Sequence, residues 1–272
     1  HQRLGASLAE EMNAEFCGVV NRHFPDGERY IRVLMDVSNQ DVVVVQNTFP
    51  DKKIVELLLI LEAVKEAGAK TITCVIPYMG YSRQERVFQS GEARSARAIA
   101  GAIGAMCDRV FTINVHTPSI LKFFGCEAND INGSREVVRY LKGFKPQMVV
   151  APDEGSRDRC TLAADLLKVP VHVMKKVRID GRTVETTSGQ VDVKGTTAVI
   201  LDDIISTGGT IATAANILRD GGAERVFAAC THGLFIEDAA NRLRVCDDIL
   251  SSDTLEGVYT RFSVAPAIAD AL

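Results

Sequence analysis

The residues best equipped for chemistry lie in one short stretch, residues 199–210, read V-I-L-D-D-I-I-S-T-G-G-T. An apolar, β-branched run ends in two adjacent carboxylates, Asp202 and Asp203. A hydroxyl- and glycine-rich loop follows, made of Ser206, Thr207, Gly208, Gly209 and Thr210, and residues 211–219 behind it have helical composition. Glycines let the backbone turn with its N–H groups facing inward, the hydroxyls add donors and a helix N-terminus adds its positive end, so the loop suits a phosphate. Carboxylates beside a phosphate repel it unless they hold something in between, either vicinal sugar hydroxyls or a divalent cation. The stretch therefore reads as a sugar-phosphate site. The alternative is a strand, turn and helix whose acids serve only as caps.

Other reactive types gather where an α/β sheet would present them. Residues 77–86 (P-Y-M-G-Y-S-R-Q-E-R) form a polar loop after an apolar strand, the position at which open α/β sheets hold ligands. Arg83 and Gln84 there suit a polyphosphate and a nucleobase. His116 falls just past the next strand, at the same topological level, and Asp153 closes a third apolar run. Phe24-Pro25-Asp26-Gly27-Glu28 is a turn by its Pro and Gly content. An exposed Phe24 flanked by Asp26 and Glu28 is able to stack on a base and accept its hydrogen bonds. Residues 175–190, beginning Lys-Lys-Val-Arg, are polar and long for a connection in a compact domain, which points to a mobile functional element or, alternatively, a surface hairpin. No G-x-x-x-x-G-K-[ST] loop occurs.

The elements needed to position these residues follow from periodicity. Helical patterns cover residues 7–12, 51–67, 93–106, 135–142 and 157–167, with a short one at the C-terminus. Apolar strand patterns cover 16–20, 30–34, 41–45, 71–76, 109–115, 148–153, 170–174, 225–231 and 259–264. Residues 247–254 read as an acidic loop, and the polar composition around 129–134 as a flexible boundary. The β–α–β alternation predicts an α/β fold of two domains, residues 1–131 and 132–272, each a mainly parallel sheet flanked by helices.

A chain of 272 residues with 46% hydrophobic and 24% charged residues has the composition of a globular protein of one large or two ordinary domains. Its net charge of −4 gives no basic field for nucleic acid, so an anionic ligand needs local cations. Seven scattered cysteines without a C-x-x-C read as free thiols in a reducing, cytoplasmic setting rather than as disulfides or zinc ligands. No apolar run approaches a membrane span and no signal peptide opens the sequence. The start at His1-Gln2-Arg3 suggests that an initial strand has been lost or removed.

In this ordered set of motifs (residues 24–28, 81–84, the His116 segment, Asp153, Lys176-x-Arg178 and 202–210) the chain resembles the ribose-phosphate pyrophosphokinases over nearly its whole length. The resemblance implies two phosphoribosyltransferase-like domains, oligomeric assembly, and transfer of the diphosphoryl group of Mg-ATP to ribose 5-phosphate with release of AMP. It implies that Ser206, Thr207, Gly208, Gly209 and Thr210 hold the sugar 5-phosphate while Asp202 binds the ribose hydroxyls and Asp203 shapes that site. Arg178 would contact the sugar phosphate or the transferring group, and Lys176 would stabilise charge on the transferred phosphates. Phe24, Asp26, Gly27 and Glu28 would bind adenine, from a neighbouring subunit, with Arg83, Gln84 and His116 serving ATP in their own subunit. His116 and Asp153 would help hold Mg²⁺. The chain departs from the commonest family pattern at Glu85, at Ser206, and at Asn114, where an acid often precedes the metal-binding histidine by two. Two other readings stay open: a phosphoribosyltransferase, which shares the sugar-phosphate loop but consumes the diphosphate, and a non-catalytic regulatory subunit of the same family.

Overall fold

The computed structural model describes residues 2–178, 184–187 and 192–272. The chain divides into two units, His1–Asn132 together with Ala265–Leu272, and Gly133–Val264.

In the first unit the chain runs through α1 (Gln2–Glu11), β1 (Val19–His23), β2 (Arg29–Val33), β3 (Asp41–Val45), α2 (Lys52–Glu66), β4 (Thr71–Ile76), α3 (Ser95–Gly104), β5 (Arg109–Ile113), a 3₁₀ segment (Pro118–Phe123) and β6 (Glu127–Ile131). Strands β3-β4-β5-β6 form a parallel sheet in that order, while β1 and β2 pair separately as an antiparallel hairpin. Strands β3 and β4 are nearly continuous runs of β-branched residues, as a covered parallel sheet requires. Leu57, Leu61 and Val64 of α2 and Ala96, Ala100 and Ile103 of α3 pack with Val44, Ile72, Cys74, Ile76 and Val110 of the sheet. The hairpin is tied down by Arg29, which reaches the buried Glu56 of α2 at 3.1 Å.

The second unit contains α4 (Ser134–Leu141), β7 (Met148–Ala151), α5 (Arg157–Leu167), β8 (Val171–Val173), β9 (Lys175–Arg178), β10 (Val184–Thr187), β11 (Thr197–Ile205), α6 (Gly209–Asp220), β12 (Arg225–Gly233), α7 (Ala239–Arg242), β13 (Asp248–Ser252) and β14 (Thr260–Phe262). Its parallel sheet has the order β14-β13-β12-β11-β7-β8. Strand alternation divides the core into two layers. Val150, Ala198, Ile200, Val226 and Ala228 face Ile211, Ala214, Ala215 and Leu218 of α6. Val149, Ala151, Val199, Leu201, Phe227 and Ala229 face Val137, Val138 and Leu141 of α4 and Cys160, Ala163 and Ala164 of α5. Helix α8 (Ala265–Ala269) returns to the first unit and packs on α1.

Three sequence expectations are corrected. Residues 265–272, assigned to the second domain, belong to the first unit because Ala265 and Ile268 are buried there beside Leu4 and Leu8 of α1. The polar boundary around residue 129 contains the end of strand β6. Asp130 there accepts hydrogen bonds from the Thr112 hydroxyl (2.6 Å) and the Val115 N–H (2.9 Å), so a polar side chain is satisfied inside a sheet. The acidic loop expected at 247–254 is largely strand β13, whose Ser251 and Ser252 are buried, with the Ser252 hydroxyl donating to the Thr231 carbonyl at 2.6 Å. Among the described residues no helix is long and apolar enough to cross a membrane.

Candidate active site

Strands β7 and β11 are neighbours from which the chain departs in opposite directions, to β8 on one side and to β12 on the other. Such a switch point opens a crevice at the carboxyl ends of the two strands. Here β7 stops pairing at Val150 with Ile200, while β11 runs on to Ile205, so Asp202 and Asp203 lie on an edge that β7 no longer covers. Beyond β7, Asp153, Ser156 and Arg159 follow at intervals of three through a 3₁₀ turn and the start of α5.

Side chains from both strands meet in that crevice. The buried Ser156 hydroxyl donates to Asp202 Oδ1 at 2.7 Å and lies 3.3 Å from Asp153 Oδ1. Arg159 Nη1 sits 3.0 Å from Asp202 Oδ1 and 3.1 Å from Asp203 Oδ1, bridging the acid pair. Asp203 is buried and also accepts the Ile204 N–H at 2.9 Å. Burial first, and then the charge of Asp203, push the Asp202 carboxyl up to about 7, against the opposing pull of Ser156 and Arg159. Ser156 and Arg159 were not legible as site residues from their types. Their spacing of three from Asp153 was the available signal.

The loop after β11 has the form of an anion cradle. Gly208 takes φ 75°, a conformation that suits glycine, and a Cβ there would come within 3.0 Å of Leu243 Cγ. The first turn of α6 has N–H groups that helix geometry leaves without intrahelical partners, and no side chain caps it. The loop is held from behind: Arg242 donates to the Thr207 carbonyl at 3.0 Å, and the Ser206 carbonyl accepts the Ile236 N–H at 3.1 Å. Ser206 and Thr207 are half-buried and Thr210 is exposed. The crevice thus combines donors for a phosphate with ionisable oxygens for hydroxyl groups.

In the first unit the expected residues fall into two places. Arg83, exposed, and Gln84, half-buried, lie in the loop after β4, where Gln84 Oε1 accepts the Ser95 hydroxyl at 2.6 Å. His116 is exposed beyond the end of the neighbouring β5, a strand end anchored by Asp130. Phe24, Asp26, Gly27 and Glu28 form the tip of the separate β1–β2 hairpin. Phe24 packs edge-on against Tyr30 at 5.6 Å, Arg22 lies 4.5 Å from the Tyr30 ring centre, and the Glu28 N–H donates to Asp26 Oδ1 at 3.0 Å. Phe24 remains 42% exposed, leaving ring surface for a ligand to stack on. Lys176 and Arg178 lie on β9, paired antiparallel with β10 so that Lys176 faces Thr186 and Arg178 faces Val184 in register. Of the polar segment expected at 175–190, residues 179–183 and 188–190 lie outside the described residues.

The donor chemistry bears on a metal. Mg²⁺ takes oxygen ligands and keeps much of its shell for water and phosphate. Among the described residues no three His, Cys, Asp or Glu side chains are grouped to hold a metal by themselves. The half-buried Asp153 carboxylate at the crevice fits a shared shell of that kind.

Comparison with known proteins agrees with this geometry. Residues 1–106 match the family described as the N-terminal domain of ribose phosphate pyrophosphokinase, and residues 132–264 match the phosphoribosyl transferase domain. The chain is 39% identical over 276 residues to the ribose-phosphate pyrophosphokinase of Methanopyrus kandleri, covering 99% of this chain and 95% of that protein. It is 40% identical over 275 residues to that of Methanosarcina mazei, covering 100% and 92%. The crystal structure of phosphoribosylpyrophosphate synthetase from Mycobacterium smegmatis superposes with a TM-score of 0.86 at 29% identity, covering 100% of this chain and 94% of that one. On the strength of both matched domains and of similarity along its full length, the chain belongs to the ribose-phosphate pyrophosphokinase family of enzymes.

Proposed function

We propose that the protein transfers the diphosphoryl group of Mg-ATP to the 1-hydroxyl of ribose 5-phosphate, giving 5-phosphoribosyl 1-diphosphate and AMP. The observation that carries this reading is the switch-point crevice, in which a glycine loop at a helix N-terminus adjoins a carboxylate pair bridged by Arg159. Ser206, Thr207, Gly208, Gly209 and Thr210 hold the 5-phosphate through backbone and hydroxyl donors. Asp202 accepts hydrogen bonds from the ribose hydroxyls, and Asp203 pairs with Arg159, which also pairs with Asp202.

The anomeric oxygen attacks the β-phosphorus of ATP in line. The bond from that phosphorus to the α,β-bridging oxygen breaks, AMP departs, and the hydroxyl proton passes to solvent. Transfer of this kind depends on positioning and charge neutralisation rather than a covalent intermediate. Lys176 and Arg178 supply positive charge to the transferring group. Phe24, Asp26, Gly27 and Glu28 bind adenine, and Arg83, Gln84 and His116 serve the nucleotide. His116 and Asp153 are the side chains that would hold Mg²⁺, which when bound would supply charge neutralisation at the phosphates. The exposed Phe24 tip supports an adenine site completed by a neighbouring subunit of a homo-oligomer.

The test is incubation with Mg-ATP and ribose 5-phosphate while AMP and phosphoribosyl diphosphate are followed. Equimolar formation of both is expected. Release of diphosphate from phosphoribosyl diphosphate and a nucleobase, without AMP formation from ATP, would instead assign a phosphoribosyltransferase, and inactivity in both assays a regulatory subunit.

A further inference from the structure

Three of the cysteines form a cluster remote in the topology from the carboxyl ends of the strands. Cys74 is buried within β4, Cys107 lies in the turn before β5 and Cys126 immediately precedes β6, the last two being half-buried. The two turns at the amino ends of β5 and β6 are in backbone contact: a Cβ on Gly104, at the end of α3, would fall 1.9 Å from the Phe124 carbonyl oxygen. Only a glycine permits that approach, and it brings the turns carrying Cys107 and Cys126 together. The parallel register pairs Arg109 with Glu127, so Cys107 and Cys126 stand two residues and one residue before a paired position of neighbouring strands; the Cys107 S–H faces the Ile103 carbonyl at 3.4 Å and the Cys126 S–H the Glu127 carbonyl at 3.7 Å.

That arrangement separates the roles of the three sulfurs. The neighbouring Cys74, and then Cys126, hold the Cys107 thiol below its ordinary value, against burial and Asp108. Burial, and then Cys107, push Cys126 up to about 11. Cys160 and Cys230 of the second unit are buried, and burial pushes both thiols far up.

We propose that Cys107 is a hydroperoxide-reactive thiol and that Cys126 resolves it to a disulfide. The Cys107 thiolate attacks an oxygen of the hydroperoxide, the O–O bond breaks, and an alcohol or water leaves, so the sulfur is oxidised to a sulfenic acid. The Cys126 sulfur then attacks the Cys107 sulfur, the S–O bond breaks, and water leaves with the Cys126 proton. Two thiols are oxidised and one hydroperoxide is reduced. Cys126 resolves in preference to Cys74 because it lies in a turn whose backbone can adjust to disulfide geometry, whereas Cys74 is fixed by pairing with both β3 and β5.

The reduced full-length protein is treated with hydrogen peroxide, quenched by alkylation and mapped by mass spectrometry without reduction. Loss of two hydrogens and a Cys107–Cys126 peptide are expected, with Cys107 consumed roughly tenfold faster than the half-buried Cys17. In Cys126→Ser, dimedone is expected to trap a sulfenic acid on Cys107. Consumption of Cys107 no faster than Cys17, or a bond joining Cys107 to Cys74 in the parent protein, overturns the proposal.

Discussion

Asp202 carries two opposing pH dependences. Its carboxyl titrates near 7 in the folded chain, chiefly through burial and the neighbouring Asp203, against about 3.9 in an unfolded chain. The folded state therefore holds this proton more tightly, and the resulting stabilisation is complete below about 4 and lost as pH rises through about 7. On the proposed role of Asp202, sugar hydroxyls donate best to the ionised form, so affinity for ribose 5-phosphate is expected to rise over the upper part of the same interval. Asp202→Asn is expected to flatten both trends. Thermal melts and calorimetric titrations from pH 5.5 to 8.5 check this, and the sugar phosphate's own titration near pH 6 cancels in the comparison of variant with parent. At Lys176 the expectation is different in kind: Lys176→Ala lowers kcat on the order of 10²–10³-fold with little change in ribose 5-phosphate binding, and equal turnover in the two proteins would remove Lys176 from the chemistry. The acids and the glycine loop were legible in sequence because their types are adjacent. Arg159 was not, since an arginine on a helix that starts after Asp153 becomes a partner of Asp202 only when the parallel sheet places β7 beside β11.

Local patterning predicted most elements, and two strands that it read as loops share a cause. Strands β6 (E-A-N-D-I) and β13 (D-I-L-S-S) contain polar residues that reading by hydropathy assigns to loops. Their side chains are satisfied by tertiary partners, Thr112 for Asp130 and the Thr231 carbonyl for Ser252, which a local window does not contain. The loop between β11 and α6 was legible because its constraint is local. Gly208→Ala forces a side chain into the left-handed region and against Leu243, with an expected loss of about 1–2 kcal/mol and weaker ribose 5-phosphate binding. Gly209→Ala meets nothing within 4 Å and is expected to leave folding stability unimpaired, since alanine favours a helix start over glycine. Chemical denaturation of the two variants separates strain at residue 208 from a general intolerance of the loop.

At the scale of the whole molecule, the two-part organisation was visible in the repeated β–α alternation, but the path of the C-terminus was not. Residues 265–272 follow β14 directly, and local reading attaches them to the unit they follow. Burial decides otherwise: Ile268 is fully buried, and α8 lies against α1 with its buried Leu4 and Leu8. The first unit thus consists of both chain ends, and its stability depends on a segment separated from the rest of it by residues 133–264. Ile268→Ala removes side-chain volume from a closed site and is expected to cost about 2–5 kcal/mol. Hydrogen exchange measured peptide by peptide locates that loss. Protection is expected to fall in α1, α8 and the strands of the first unit while β7, β11 and β12 stay as protected as in the parent. Loss of protection confined to the second unit would return α8 to the unit it follows in sequence. Because the proposed sugar-phosphate loop lies wholly within residues 133–264, the same variant is expected to bind ribose 5-phosphate with unchanged affinity below its unfolding transition.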